Sequence, residues 1–125
     1  MLYNGRGIND IGKGVTPENI VDNLYKIVKE LKEHNIKPFI FSILYLSEKF
    51  DSWEKNNKSV KIVNEKIRNM CEKNSIQYIE LNKVFSNNGK LRNEYCNDDG
   101  VHLNGMGYKK WSEKILPIIE NEIYE

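Results

Sequence analysis

Cysteine is scarce in this 125-residue chain. Its two thiols, Cys71 and Cys96, fit neither a disulfide-dense framework nor the paired spacing of a zinc site. Charge of one sign is lacking too: 19 Lys and Arg stand against 18 Asp and Glu, a formal net charge of +1. Stretches such as Lys26 to Lys37 alternate bases with Glu30 and Glu33, the pattern of a solvated helix face and not of a nucleic-acid footprint. No apolar run approaches bilayer length, and no basic stretch with an apolar core behind it opens the chain. The sequence therefore shows neither a membrane span nor a signal peptide. Few cysteines and no export signal together favour a cytoplasmic setting. Repeats, linkers and low-complexity tracts are absent as well. Residues 1–125 read as one domain, long enough for one core and too short for two.

What is present reads as alternating strands and helices. Thr16-Pro17-Glu18 is a helix start, with Thr as N-cap and Pro at the first helical position. Ile20, Leu24, Ile27, Val28 and Leu31 then recur at helical spacing as far as His34-Asn35. Phe39 to Leu44 is a short continuous apolar run, the pattern of a strand buried on both faces of a parallel sheet. Tyr45 to Asn57 reads as a polar loop carrying Phe50 and Trp53. A second helix is expected from near Lys58, on Val60, Val63, Ile67 and Met70, ending at Asn74. Ile76 to Leu81 is a further strand, Val84-Phe85 a short helical turn, and Asn87-Asn88-Gly89 a turn. Tyr108, Trp111, Ile115, Ile119 and Ile123 mark a final helix starting near Gly105, with Pro117 a kink. A stub at Met1 to Asn4 can supply a first strand. Helices of this length between strands imply right-handed crossovers and a parallel sheet, with the chemistry in loops at the strands' carboxyl ends.

Two short motifs fall at those ends. Asp98-Asp99-Gly100-Val101-His102-Leu103-Asn104 sets a carboxylate three residues before an imidazole in a glycine-containing loop. An acid bonded to one ring nitrogen frees the other to act as a general base. Near the N-terminus, Gly7-Ile8-Asn9-Asp10 offers a loop Asn whose side-chain N–H could face a developing oxyanion. In this order, with matching elements between them, the motifs resemble the third and fifth conserved blocks of the SGNH (GDSL-type) hydrolases, Gly-x-Asn-Asp and Asp-x-x-His.

The resemblance implies a flavodoxin-like, three-layer α/β/α sandwich with a parallel sheet. It casts His102 as general base, Asp99 as its orienting acid, and Asn9 and Gly7 as the oxyanion side of the site. The implied activity is ester hydrolysis by a Ser-His-Asp mechanism on a small acyl or acetyl ester or a lysophospholipid, with no metal or organic cofactor. The family's Gly-Asp-Ser block, which carries the nucleophile, does not occur in this sequence, and Tyr45 stands where many members have Pro. The expectation is therefore an N-terminally incomplete domain lacking the first strands of the fold. Its exposed apolar sheet edge would need a missing segment or a second copy as partner. The alternative is a non-catalytic binding or assembly domain derived from the same family.

Other signals yield plainer readings. Gly5-Arg6-Gly7 imitates a dinucleotide fingerprint, but the third glycine is missing and the next expected helix opens only at Pro17. Ser42 lies in a strand and Ser47 outside any strained elbow. Cys96, close in sequence to Asp99 and His102, could serve as a nucleophile, though packed free cysteine is the commoner case. Phe50 and Trp53 could stack on a sugar at the rim, or simply cap the sheet. Trp111 reads as core and His34 as a helix-end charge partner.

Overall fold

The computed structural model describes residues 2–3 and 7–124, with side chains from 8 to 121. β1 (Leu2–Tyr3), β2 (Phe39–Phe41) and β3 (Gln77–Ile79) form a parallel sheet in that order. Leu2 lies opposite Phe39, and Phe39, Ile40 and Phe41 lie opposite Gln77, Tyr78 and Ile79. Between them run α1 (Gly7–Gly12), α2 (Pro17–Glu33) and α3 (Trp53–Lys73). After β3 come α4 (Asn82–Phe85), a hairpin of β4 (Ser86–Asn87) with β5 (Lys90–Leu91), a 3₁₀ turn at Asn93–Tyr95, and α5 (Gly105–Tyr124).

Strand alternation sorts the core into two halves. Ile40 and Tyr78 face the layer of α2 and α3, where Ile20, Leu24, Val28, Val60, Val63 and Ile67 close over them. Phe39, Phe41 and Ile79 face the other way, onto Phe85, Tyr95 and Ile115, with Trp111 and Ile119 at the margin. Trp111 meets Phe41 edge-on, ring centroids 6.0 Å apart, a geometry that aromatic quadrupoles favour. The arrangement is the expected three-layer α/β/α sandwich around a parallel sheet.

Local chemistry fixes the helix ends. Thr16 Oγ1 accepts the Asn19 N–H at 3.2 Å with Pro17 behind it. α2 and α3 end in the same manner: Asn35 (φ 59°) and Ser75 (φ 55°) turn left-handed, and the N–H groups of Ile36 and Ile76 reach back to the carbonyls of Leu31 and Cys71. Asn88 (φ 54°) and Gly89 (φ 75°) make the left-handed pair that a two-residue hairpin requires, at the turn the sequence marked.

Three expectations are corrected. Gly7-Ile8-Asn9-Asp10 is not a loop but most of α1. α3 opens at Trp53 and not near Lys58, because its buried face begins with a polar residue, Asn57, that an apolar count passes over. The ladder of β2 ends at Phe41, short of Leu44, although residues 42 and 43 are fully buried. The N-terminal stub extends beyond Leu2–Tyr3 only into residues outside the described ones.

Candidate active site

Beyond Ser42, whose N–H still donates to the Ile79 carbonyl of β3 at 3.0 Å, the chain leaves the sheet yet stays inside the protein, so its backbone polar groups need other partners. Asparagine side chains supply them. Asn64 on α3 accepts the Ile43 N–H at 2.8 Å and donates to the Ile43 carbonyl at 2.9 Å. Asn57, one turn into α3, does the same for Leu46 at 2.8 and 3.0 Å. Asn82, at the start of α4, accepts the Tyr45 N–H at 3.1 Å and donates to the Ile43 carbonyl at 2.9 Å. Ser42 Oγ accepts the Leu81 N–H at 2.8 Å, tying this segment to the end of β3. Among the described residues no buried side-chain nitrogen or oxygen lacks a partner.

The braced segment is one wall of a cavity of about 370 Å³ at the carboxyl ends of the strands. Ile8 and Asn9 of α1 form a second wall and Val101 and His102 a third, with Leu81 below. Apolar side chains dominate the lining, and the polar groups facing it come from Asn9, Ser42 and His102. This is where an open parallel sheet presents its binding crevice.

His102 arrives on a loop that organises itself around Asp99. Asp99 Oδ1 accepts the N–H groups of Val101 and His102 at 2.8 and 3.0 Å, and Oδ2 lies 2.6 Å from His102 Nδ1. The His102 hydrogen bond, followed by the two backbone bonds, lowers the Asp99 carboxyl from 3.8 to about 2. An ionised carboxylate only accepts, so Nδ1 carries a proton, and in the neutral imidazole the lone pair falls on Nε2. Gly100 (φ 73°) makes the tight turn possible, and its carbonyl accepts the Ser47 N–H at 2.9 Å. The loop is closed by the Asn97 N–H on the His102 carbonyl, 2.8 Å, and by pairing of Cys96 with Leu103.

The structure thus brings Asp99, His102 and Asn9 together, and Gly7 opens the helix that carries Asn9. It does not bring Phe50 and Trp53 to this cavity. Phe50 backs onto Gly100, and Trp53 lies under the Lys90 ammonium, 5.2 Å from its ring, beside a separate depression with Tyr45 and Lys61. Cys96 is buried, with Sγ 3.6 Å from the Asn93 carbonyl, and Ser47 Oγ donates to Asn93 Oδ1. Among the described residues no three His, Cys, Asp or Glu cluster as a metal site. The asparagine brace went unread in the sequence. Its available signal was Asn57 and Asn64 falling on the same helical stripe as Val60, Val63 and Ile67.

Fold and site describe an α/β sandwich domain in which the His102 loop and the helix carrying Asn9 meet at the carboxyl edge of a parallel sheet. A GDSL-like lipase from Bacteroides thetaiotaomicron superposes with a TM-score of 0.82 at 21% identity, over 97% of this chain and 62% of that one, which shows the fold. In sequence the chain is similar to the isoamyl acetate-hydrolyzing esterase of Saccharomyces cerevisiae, 24% identical over 80% of this chain and 46% of the esterase. It is also similar to N-acylneuraminate cytidylyltransferase of Streptococcus agalactiae, 29% identical over 78% of this chain and 22% of that protein. The model of the GDSL-like lipase/acylhydrolase family matches residues 6–110, and the chain belongs to that family. It spans less than two-thirds of the length of each of these relatives.

Proposed function

We propose that the chain carries the base and oxyanion side of an acyl-ester hydrolase site, with His102 as general base, Asp99 as its orienting acid and Asn9 with Gly7 as the oxyanion side. The observation that supports it is the 2.6 Å contact of Asp99 Oδ2 with His102 Nδ1 on a cavity that Asn9 also lines. In the proposed reaction a serine Oγ attacks the acyl carbonyl carbon, and Nε2 of His102 takes the hydroxyl proton. Asn9 Nδ2 donates to the oxyanion. Collapse of the tetrahedral species expels the alcohol, which receives the proton from Nε2, and water then repeats the sequence to free the acid. The apolar lining suits a short acyl or acetyl ester, or the acyl chain of a lysolipid, and no metal or cofactor enters. The serine comes from a Gly-Asp-Ser segment that these 125 residues do not contain.

The test follows from that division of labour. Alone, the chain should hydrolyse an activated acetyl ester barely faster than an equal concentration of imidazole, and His102→Ala should change little. In serine proteases the machinery left after losing a triad member still gives roughly 10³–10⁴-fold over water, and here part of that machinery would also come from the serine segment. Joining a relative's Gly-Asp-Ser segment should raise the rate by orders of magnitude, and His102→Ala should abolish the gain. Fast turnover by the 125-residue chain, lost on Cys96→Ala or Ser47→Ala, would overturn the assignment. No gain on joining a folded segment would favour a non-catalytic binding or assembly domain.

A further inference from the structure

We propose that Asn57 is a positioning residue that sets where His102 stands at the cavity, acting through Leu46, Ser47 and Gly100. This rests on the reading of His102 as the general base, but the mechanical link is a property of the fold and can be measured without turnover.

The chain of contacts is short. The loop of residues 97–104 holds its own shape through Asp99 and the Asn97 to His102 hydrogen bond, so the position of Gly100 sets that of the imidazole. Gly100 is gripped by the turn after Leu46. The Ser47 N–H donates to its carbonyl at 2.9 Å, and a Cβ built on Gly100 would stand 2.7 Å from Phe50 N and 3.1 Å from Phe50 Cβ. Loop and turn therefore meet backbone to backbone with no slack. The turn in turn is seated by Asn57. Its buried amide holds both backbone groups of Leu46, and Nδ2 also donates to the Gly89 carbonyl at 3.0 Å in the hairpin turn. Asn57 thus ties helix α3 to the residue before Ser47 and to the hairpin turn, beside the Leu91 N–H on the Leu46 carbonyl at 3.1 Å and Ser47 Oγ on Asn93, which hold the turn from the hairpin and 3₁₀ side. The Lys49–Asp98 contact at 4.0 Å joins exposed side chains and adds little. The remaining anchors of the loop, Asn104 Nδ2 on the carbonyls of Glu94 and Cys96, the Asn104 N–H on the Tyr95 carbonyl and the pairing of Cys96 with Leu103, tie it to the 3₁₀ turn and not to the cavity wall.

Asn64 makes the same two-bond clamp on Ile43 from the same helix, but no backbone contact leads from Ile43 to the His102 loop. It is the control for a merely structural effect. In the ¹⁵N-labelled chain, Asn57→Ala should lower the amide order parameters of residues 97–104 from about 0.85 to below about 0.6, the change that separates rigid from flexible backbone, while those of α2 and β2 hold. Exchange of the Ser47 amide should speed up about tenfold, as expected on losing a buried hydrogen-bonded seat. Asn64→Ala should leave both readouts at 97–104 and Ser47 unchanged. Equal losses in the two variants, or unchanged order parameters in a folded Asn57→Ala protein, would overturn the proposal. If Asn57→Ala does not fold, Asn57→Asp, which keeps an acceptor for the Leu46 N–H and loses both Nδ2 bonds, takes its place: it should produce the same loss of order in the loop, and an unaltered loop would count against the link. A changed loop in a protein whose joined form shows no hydrolysis would leave the mechanics standing and remove the base assignment instead.

Discussion

Asp99 does three jobs with two oxygens, and its titration is where the site can be read most directly. Its carboxyl is lowered from 3.8 to about 2, first by His102 and then by the N–H groups of Val101 and His102. Because the folded value lies below the unfolded one, the stability this group contributes is complete above about pH 4. It is lost as the pH falls toward 2. Carboxyl-carbon NMR should place the Asp99 midpoint near 2. In His102→Ala it should rise yet stay below 3.8, because both backbone bonds remain. A midpoint at 3.8 in the native chain would show that the pair does not form. Asp99 and His102 were legible in the sequence because the contact spans three residues and needs nothing from the rest of the fold. Asn57, Asn64 and Asn82 were not, because their partners lie between 11 and 39 residues away, and a single amide leaves no period in the chain.

Among the elements, α2 and α5 show how far pattern reading goes. Thr16-Pro17 and the stripe of Ile20, Leu24 and Val28 define α2 from cap to cap, and each buried aliphatic side chain contributes about 1.5–3 kcal/mol. α3 was read short because its first buried position is Asn57, and α1 was missed because its six residues begin and end with Gly and hold a single apolar pair, Ile8 and Ile11, too short a run to show a helical period. In α5, Pro117 sits inside the helix at an exposed position, where it removes a backbone donor and crowds the carbonyl one turn back. Pro117→Ala should therefore raise stability by about 1–3 kcal/mol in urea denaturation. An unchanged midpoint would mean that the helix bends there at no cost. Gly107 is the opposite case. A Cβ there would lie 2.4 Å from the Tyr95 carbonyl oxygen, so Gly107→Ala should loosen the contact of α5 with the 3₁₀ turn and lower the melting temperature.

For the whole molecule, the open question is what stands beside β1. Among the described residues β1 pairs with β2 on one side only, and Met106, Tyr108, Leu116 and Ile118 of α5 are exposed. An unpaired sheet edge, and separately an exposed apolar helix face, each invite association, the edge either with a second copy or with a segment completing the sheet. Sedimentation should show dimers of the chain at high concentration, reverting to monomer when a Gly-Asp-Ser segment is joined. A monomer at all concentrations would mean that the edge is already protected. No helix among the described residues is long and apolar enough to cross a membrane.

The asparagine brace has a consequence for how this protein can change. A wall held by a β-ladder moves only if neighbouring strands unpair, whereas the wall from Ile43 to Leu46 is pinned by three separate side chains. The shape of that wall therefore depends on the seating of Asn57, Asn64 and Asn82 and not on the register of the strands beneath it, so a change at one of them reaches the cavity without first unpairing the sheet.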